Sequence, residues 1–259
     1  MFELALDPTT WGLLCLVALA AGFIDAIAGG GGLLTVPALL TAGLPPHLTL
    51  GTNKLAASFG SLTASFTYYK KQLFKPSFWI GSIIATAIGA VLGTLLVDFL
   101  SIEFLNKLIP VIIIAVAIYS LIGRLSPTDS HTLPEANRAL KIKQWTQGLS
   151  LGFFDGMAGP GTGTFWTASN SMLYKMSLLL NCGLARSMNF VSNFISLITF
   201  VALGHVNFML GVTMGAFLML GAWLGAHSAI KFGNKLIKPL FNTVVIVLAG
   251  KLIFEAYFS

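Results

Sequence analysis

The amino-acid sequence predicts an all-α polytopic membrane protein of two homologous, inverted repeats of four transmembrane helices, each with a broken or re-entrant glycine-rich segment. Three observations predict this fold: an apolar composition, a series of apolar runs of membrane-spanning length, and an internal duplication. Of the 259 residues, 56% are hydrophobic and 9% are charged, whereas soluble domains carry about 25% charged residues. Because so few charges cannot cover a soluble surface, we expect nearly the whole chain to lie in a lipid bilayer.

Apolar runs follow one another along the chain. Those long enough to cross about 30 Å of hydrocarbon cover 11–28, 50–69, 78–98, 104–122, 182–203, 206–229 and 239–257, and a shorter run covers 145–159. Two further pieces, 33–45 and 164–180, are interrupted by glycine, proline or polar residues. Irregular backbone survives at membrane depth only where protein or a water-filled cavity surrounds it, so we expect half-helices or re-entrant segments there.

A hydrophilic segment divides the chain nearly in half. Residues 124–143, "RLSPTDSHTLPEANRALKIK", predict a cytoplasmic linker between a first repeat at 1–123 and a second at 144–259. The first apolar run follows "MFELALDPTTWGLL", which lacks the basic residues that begin a signal peptide. We therefore expect this run to be a retained transmembrane helix.

The two halves resemble each other in sequence. The segment "GFIDAIAGGGG" (22–32) matches "GFFDGMAGPGT" (152–162) at an offset of 130 residues, and "GTNK" (51–54) matches "GLAR" (183–186) at 132. The pair "GAVLG" and "GAWLG" (89–93 and 221–225) and two copies of "NKLI" follow in the same order. Such duplications are typical of secondary transporters, whose substrate site lies near the membrane midplane between the repeats.

The basic residues indicate how the repeats are oriented, because cytoplasmic loops are enriched in lysine and arginine. If each short segment counts as one crossing, each half crosses an odd number of times and the repeats are inverted. One side then carries Lys70, Lys71, Lys75, Arg124, Arg138, Lys141, Lys143, Lys175, Lys231, Lys235 and Lys238, and Lys107 and Lys251 lie toward the other. If the short segments turn back without crossing, the basic residues divide more evenly between the two sides of the membrane. We therefore expect the inverted arrangement, with both termini outside the cytoplasm.

Four charged residues inside apolar stretches pair across the duplication: Asp25 with Asp155, and Lys54 with Arg186. Charged side chains within a membrane are costly and usually mark substrate or proton pathways. We therefore expect Lys54 and Arg186 to bind substrate. Asp25 and Asp155 are expected either to carry a coupling proton or to form structural salt bridges with the two cations, and the sequence favours neither alternative.

Polar residues follow each cation at helical spacing. The first set is Ser58, Ser61 and Ser65, and the second is Asn189, Asn193 and Ser196. Lipid offers no hydrogen-bond partner to a polar helix face, so we expect both faces to point toward the interior of the protein. Serines alone would more often hydrogen-bond helices together, but stripes that begin with Lys54 and Arg186 favour a substrate pathway, to which Asn189 and Asn193 contribute.

The glycine-rich segments predict an anion site. Gly29, Gly30, Gly31 and Gly32 leave backbone N–H groups uncovered before a helix N-terminus, where the helix dipole is positive. In the second half Gly159, Gly161 and Gly163 do the same, and Thr162 adds a hydroxyl donor. The alternative is that the glycines only permit a sharp turn or a close helix crossing. We prefer that alternative for "GAVLG" and "GAWLG", but not for four consecutive glycines.

Other classes of function lack their sequence signals. A P-loop needs Gly-Lys-Ser/Thr after its glycines and a dinucleotide site needs a βαβ unit, and neither occurs. The chain has no nucleophile–base motif, no metal-ligand spacing among its four histidines, and no basic patch with interleaved aromatics for nucleic acid. Cys15 and Cys182 lie in apolar runs and predict no disulfide framework. We expect no enzyme activity, no cofactor and no bound metal.

The segments "GFIDAIAGGGGLLTVPAL", "GTNKLAASFGS", "GFFDGMAGPGTGTF" and "SMNFVSN" resemble the TauE/SafE family of sulfite exporters and toluene-sulfonate uptake permeases, over about residues 11 to 257. The resemblance implies a multi-pass transporter of the bacterial inner membrane that moves small anions, mainly sulfur oxyanions or organosulfonates. Several members of the family are regarded as exporters. The "GPGTG" variant is similar to uncharacterised inner-membrane members, and its Pro160 and Thr162 should stiffen the second loop.

We therefore expect an anion to bind between the two glycine loops while the repeats rock about it in alternating access. The alternatives are a membrane scaffold or assembly protein that transports nothing, and a passive anion channel. The expected partners are the anion and the lipid bilayer, and a homo-oligomer is compatible with the sequence. The sequence does not specify the substrate, the direction of transport or the coupling ion.

Overall fold

The computed structural model describes residues 6–109, 111–112, 132–237, 239–240 and 243. Its helices are α1 (Pro8–Ile27), α2 (Gly32–Thr41), α3 (Pro46–Lys70), α4 (Ile80–Asp98), α5 (Arg138–Met157), α6 (Thr162–Tyr174), α7 (Leu178–Ala202) and α8 (Phe208–Phe232). Residues 102–109 are also helical, and the described residues contain no β-strand, as the predicted all-α fold requires. Most of the predicted runs 104–122 and 239–257, and the first eight residues of the linker (124–131), lie outside the described residues.

Four of the described helices, α1, α4, α7 and α8, are long and apolar enough to cross a membrane. Their outward faces carry large apolar side chains, such as Leu16 (62% exposed) and Met209 (74% exposed). Such exposure is unusual for a soluble surface but suits contact with lipid. The predicted membrane protein is therefore supported by helix length, composition and surface.

Two pairs of equivalent helices in the two halves have the same lengths, and one of these pairs ends in the same way. Helices α1 and α5 each have 20 residues and α3 and α7 each have 25. Beyond α3 and α7 the chain passes through a positive φ at Gln72 (58°) and at Gly204 (76°). The next N–H then bonds a carbonyl five residues back, from Leu73 to Tyr68 (3.0 Å) and again from His205 (2.9 Å). This is the Schellman arrangement, and its repetition supports the duplication.

Helix α5 begins earlier than the apolar run at 145–159 predicts. Asn137 caps it, since its side chain accepts a hydrogen bond from Leu140 N at 2.8 Å, and the helix starts at Arg138. Its first turns, "RALKIKQ", are too polar to count as an apolar run. The last six residues of the predicted linker are therefore helical.

The repeats interlock through glycines. Helix α1 packs on α8 and, equivalently, α5 packs on α4. A Cβ added at Gly22 would collide with the carbonyl of Leu218 in α8, and one at Gly152 with the carbonyl of Thr86 in α4. Gly93, in the "GAVLG" segment, has the same relation to Phe153. These glycines let the backbones approach closely, as small residues do in membrane helix pairs.

Helices α3 and α7, which are equivalent in sequence, run antiparallel through the centre. Near one end Ser65 Oγ lies 2.8 Å from Ser187 Oγ, and near the other Gly51 lies against the carbonyl of His205. Helix α2 folds back along α1, where Leu39 joins a cluster with Leu14. Helix α6 folds back along α5 in the same way. Each half therefore contains a helical hairpin whose turn is a glycine-rich loop.

Candidate functional site

The two glycine-rich loops touch each other in the interior of the protein. Gly29 (φ 87°) and Gly30 (φ 93°) in the first loop, and Gly159 and Gly161 (both φ 82°) in the second, adopt the left-handed conformation that favours glycine. A Cβ added at Gly29 would lie 2.5 Å from the amide nitrogen of Thr164, and it would also meet the backbone of residue 163. The loops can meet backbone to backbone only because side chains are missing here.

A cavity lies where the loops meet. The empty space at this point is about 450 Å³ including its opening to solvent, but it is narrow, and its free interior suits about one or two water molecules. The lining comes from α1, both loops, the first turn of α2, and the middle of α3, α7 and α8. The lining residues are Gly22, Asp25, Gly30, Gly31, Gly32, Thr35, Asn53, Ala57, Gly60, Ser61, Gly159, Gly161, Thr162, Gly163, Asn189, Asn193 and Leu218.

Backbone donors face this region. Helices α2 and α6 begin at the loops, at Gly32 and Thr162, so the positive end of each helix dipole lies beside the cavity. Among the residues that the structure describes, the N–H groups of Gly30, Gly32, Gly161 and Gly163 donate no hydrogen bond. Unpaired N–H groups at a helix start are a ready environment for a negative group.

Lys54 and Asp155 form a fully buried ion pair between the repeats. Lys54 Nζ lies 2.9 Å from Asp155 Oδ1 and donates to the Asp155 carbonyl at 2.6 Å, and both side chains are 1% exposed. The other carboxylate oxygen of Asp155 accepts a hydrogen bond from Ser192 Oγ. A buried charge is tolerated only when it is paired and hydrogen-bonded, and this pair meets that condition.

Arg186 and Asp25 form the equivalent contact with different geometry. Arg186 Nη1 lies 3.8 Å from Asp25 Oδ1 and donates to the Asp25 carbonyl. Its Nη2 donates to the carbonyl of Gly163 (2.7 Å) and to Thr167 Oγ1 (3.1 Å). Arg186 is fully buried, whereas Asp25 is 17% exposed and lines the cavity. The guanidinium therefore clamps α1 to the start of α6.

The four charges come together in two ion pairs, which is one of the two alternatives that the sequence leaves open, but the two cations do not line the cavity. The crossed pairing gives each cation a carboxylate from the other repeat, and Lys54 and Arg186 lie behind the loops. Nζ of Lys54 would be 3.3 Å from a Cβ at Gly159, and the Arg186 nitrogens 3.0 Å from one at Gly163. The loop backbone thus separates each cation from the cavity by one layer of atoms.

The remaining predicted site residues divide into two groups. Thr162, Asn189 and Asn193 line the cavity together with the predicted glycines, except Gly29, which is occupied in the contact between loops. Ser65, one turn beyond Ser61 in α3, instead bonds Ser187. The serine stripe of α3 therefore does not face the cavity along its whole length.

Among the polar residues of the cavity, sequence reasoning missed two. Thr35 Oγ1 donates to Asn53 Oδ1 at 2.6 Å, and both residues are buried in the cavity wall. Thr35 lies in the first turn after the glycine run, and Asn53 directly precedes Lys54 in "GTNK". A search restricted to charges and glycines passes over such neutral residues. Among the described residues, no group of histidine, cysteine, aspartate and glutamate is arranged to hold a metal ion.

Comparison with known proteins agrees with a membrane protein. The family model "Sulfite exporter TauE/SafE" matches residues 14–252. The chain is 35% identical over 248 residues to a "Probable membrane transporter protein" of Haemophilus influenzae, with 94% of each chain covered. It is 34% identical over 256 residues to the "Probable membrane transporter protein YfcA" of Escherichia coli K12, with 97% of this chain and 92% of the relative covered.

A more distant relative is the "Probable membrane transporter protein YunE" of Bacillus subtilis, which is 25% identical over 281 residues, with 95% of this chain and 98% of the relative covered. No solved structure matches the chain significantly. The family model spans most of the sequence, including both glycine-rich loops and the four buried charges. The chain therefore belongs to the TauE/SafE family of membrane proteins.

Proposed function

We propose that this protein is a secondary transporter for small anions, of which sulfur oxyanions and organosulfonates fit best. The observation that carries the proposal is the narrow cavity between two glycine loops, where amide donors and two helix N-termini converge. The names of its relatives, which are probable membrane transporter proteins, support transport as the activity. The family description supports sulfite-like substrates and export as the direction.

The cavity's donors determine the proposed substrate class. Gly30, Gly32, Gly161 and Gly163 offer N–H groups, and Asn189 offers a side-chain amide. Neutral donors of this kind suit an oxyanion with several acceptor oxygens. Lys54 and Arg186 add positive charge from behind the loops, where low dielectric extends their influence. We propose that they bind the anion through this field and by fixing the loops, rather than by direct contact.

We propose inverted repeats in a bacterial inner membrane. The antiparallel course of the equivalent helices α3 and α7 supports inversion, because parallel repeats would carry equivalent helices in the same direction. The parallel packing of α4 with α5 brings Lys71 and Lys75 to the same end as Lys141 and Lys143. A basic end of this kind marks the cytoplasmic side.

We propose alternating access as the mechanism. The cavity is too narrow for an organosulfonate, so this conformation corresponds to a closed state that must open toward each side. The crossed ion pairs join the repeats at the cavity, and rocking of one repeat against the other would change their geometry. We propose that Asp25 or Asp155 links that movement to a proton, as membrane carboxylates do in many transporters.

Two rival functions predict different features. A scaffold protein needs no cavity and would surround Lys54 and Arg186 with apolar side chains, whereas both have polar partners here. A passive channel needs a continuous opening, and its anion flux would neither saturate nor respond to a proton gradient. The narrow cavity favours a transporter over either rival.

The proposal is tested with purified protein in proteoliposomes, by measuring flux of sulfite, thiosulfate, taurine, sulfoacetate and acetate. We expect saturable flux of at least one sulfur anion and its loss in Lys54→Gln and in Arg186→Gln. Lys71→Gln, which removes an exposed lysine, is the matched control and should transport normally. Thermal unfolding and size-exclusion profiles separate loss of function from loss of fold. Unchanged flux in the folded Gln variants contradicts the roles of Lys54 and Arg186.

A further inference from the structure

The two membrane carboxylates are not equivalent. Asp155 is 1% exposed and both its oxygens are engaged, by Lys54 and by Ser192. Asp25 is 17% exposed, lies 3.8 Å from its cation and forms part of the cavity wall. Asp25 is therefore the carboxylate that a proton or an anion in the cavity can reach.

The Asp25 carboxylate already occupies donors of the proposed anion site. Its Oδ1 accepts from the loop amide of Gly31 at 3.0 Å, and its Oδ2 accepts from Asn189 Nδ2 at 3.3 Å. A loop N–H, a side-chain amide and a guanidinium close by are what an oxyanion would need. In this closed conformation the protein supplies that negative group itself.

We propose that Asp25 is an internal anion that competes with substrate, so that each monoanion binds together with one proton taken up by this carboxylate. The inference rests on the proposed function and adds the identity of the coupling residue and its stoichiometry. Protonation removes the charge of Asp25 and weakens its hydrogen bonds to Gly31 N–H and Asn189 Nδ2, so that the substrate can displace it from these donors. The proton adds to a carboxylate oxygen, and no other bond forms or breaks.

Charge balance points the same way. With both carboxylates ionised, the two negative charges of Asp25 and Asp155 cancel the two positive charges of Lys54 and Arg186. A monoanion entering this neutral cluster would leave one uncompensated buried charge, which is strongly unfavourable. With Asp25 protonated the cluster carries one positive charge, and the bound anion neutralises it.

The difference between Asp25 and Asp155 follows from residues that differ between the two halves of the sequence. Asn189, which bonds Asp25, corresponds to Ala57 in the first repeat at the offset of 132, so Asp155 has no equivalent amide partner. The loop amide of Gly161, which corresponds to Gly31 at the offset of 130, donates no hydrogen bond among the described residues. Coupling therefore belongs to Asp25 alone, and the second loop stays open to the anion.

Few other titratable groups face Asp25. Helix α7 contributes Arg186 and the buried thiol of Cys182, which lies near the end of α1. Helix α3 contributes Tyr68 and Lys54, and Lys54 is paired with Asp155. Helix α2 carries no titratable residue. On α8, His227 and Lys231 lie near the exposed end. Among the described residues, Asp25 is thus the one titratable side chain that lines the cavity.

The test uses methanesulfonate and nitrate, monoanions whose charge stays constant between about pH 5 and about pH 8. Binding to the purified full chain is measured by calorimetry, and proton uptake by a pH indicator in weak buffer. We expect about one proton per bound anion, and an affinity that falls about tenfold per pH unit where Asp25 is ionised in the free protein.

The matched variants are Asp25→Asn and Glu135→Gln, which removes an exposed carboxylate in the described part of the linker. We expect Asp25→Asn to bind the anion with no proton uptake and no pH dependence, and Glu135→Gln to behave as the wild type. Anion binding to the wild type without proton uptake overturns the inference but leaves the proposed function standing. If neither probe nor any sulfur anion of the flux panel binds, the proposed function fails as well. The wild-type proton count decides even if Asp25→Asn does not fold.

Discussion

At the scale of single residues, the crossed ion pairs explain how four charges can lie inside an apolar helical protein. Lys54 and Asp155 are each 1% exposed and satisfy each other with help from a backbone carbonyl and a serine. A buried pair of this kind adds little stability over an apolar pair of the same size, because both ions lose their hydration. Removing only one ion of the pair strongly lowers the stability of the protein, since the remaining ion stays buried without a partner.

We predict that Asp155→Asn lowers the free energy of unfolding by about 3–5 kcal/mol, because it leaves Lys54 buried without its counter-ion. The double variant Lys54→Met with Asp155→Leu should recover most of that loss, since it removes both charges and keeps side-chain volume. Unfolding in mixed micelles measures both. A double variant no more stable than Asp155→Asn would show that the pair itself, rather than the unpaired lysine, determines stability.

The sequence singles out these four charged residues and allows salt bridges among them, but it does not indicate which cation meets which carboxylate. Their equivalent positions in the two repeats, and their cost in a membrane, single them out without any structure. The crossed pairing depends on how the repeats interlock, which no local pattern records. For the same reason the sequence cannot foresee that the loop backbone separates Lys54 and Arg186 from the cavity.

At the scale of elements, glycines serve two different purposes. In α4, α5 and α8 they lie in regular helices and remove side chains where another helix crosses. In the two loops they supply positive φ angles and let the loops touch. The same residue type therefore positions the helices in one place and forms the candidate site in the other.

For the loops, Gly29→Ala should impair anion flux far more than Gly204→Ala. Both positions have positive φ (87° and 76°), so an alanine costs about 1–2 kcal/mol of backbone energy at either. Only at Gly29 does the new Cβ meet a second loop, at Thr164 N, while at Gly204 nothing lies within 4 Å. Flux per folded protein in proteoliposomes measures the difference. Equal flux in the two variants would mean that loop contact is irrelevant to transport.

For the helix crossings, Gly93→Ala should destabilise the protein by about 1–3 kcal/mol, because its Cβ would collide with the Phe153 carbonyl of α5. Gly12→Ala in α1 is the control: nothing lies within 4 Å of its Cβ, and alanine favours a helix over glycine by about 1 kcal/mol. Thermal unfolding should therefore shift in opposite directions for the two variants. A stable Gly93→Ala protein would show that α4 and α5 separate easily.

The sequence predicts the order of the elements better than their ends. The re-entrant segments 33–45 and 164–180 correspond to α2 (Gly32–Thr41) and α6 (Thr162–Tyr174). The run at 182–203 misses the first turn of α7, and the run at 145–159 misses the polar start of α5. A search for apolar runs loses helix turns that are polar, whereas caps such as Asn137 fix those ends in the structure.

At the scale of the whole molecule, the two repeats share a plan but differ in chemistry. Each contributes a hairpin, a long central helix and a helix that packs through glycines. Each hairpin packs against a helix of the other repeat. The second hairpin is held by polar contacts, such as Tyr174 OH to Gln147 Oε1 at 2.7 Å. The first is held by leucines, among them Leu39 and Leu44. The free-energy cost of rocking one repeat against the other would therefore differ between the two hairpins.

The proposed inversion of the repeats predicts opposite membrane sides for equivalent positions. Gln72 and Gly204 are exposed, follow the equivalent helices α3 and α7, and share a positive φ. In a variant with Cys15 and Cys182 replaced, we expect a membrane-impermeant maleimide to label Gln72→Cys only from the cytoplasmic side and Gly204→Cys only from the other, because α3 and α7 run antiparallel. Right-side-out and inside-out vesicles separate the two cases. Parallel repeats would expose both cysteines on one side, and that result would remove the structural basis for alternating access between inverted halves.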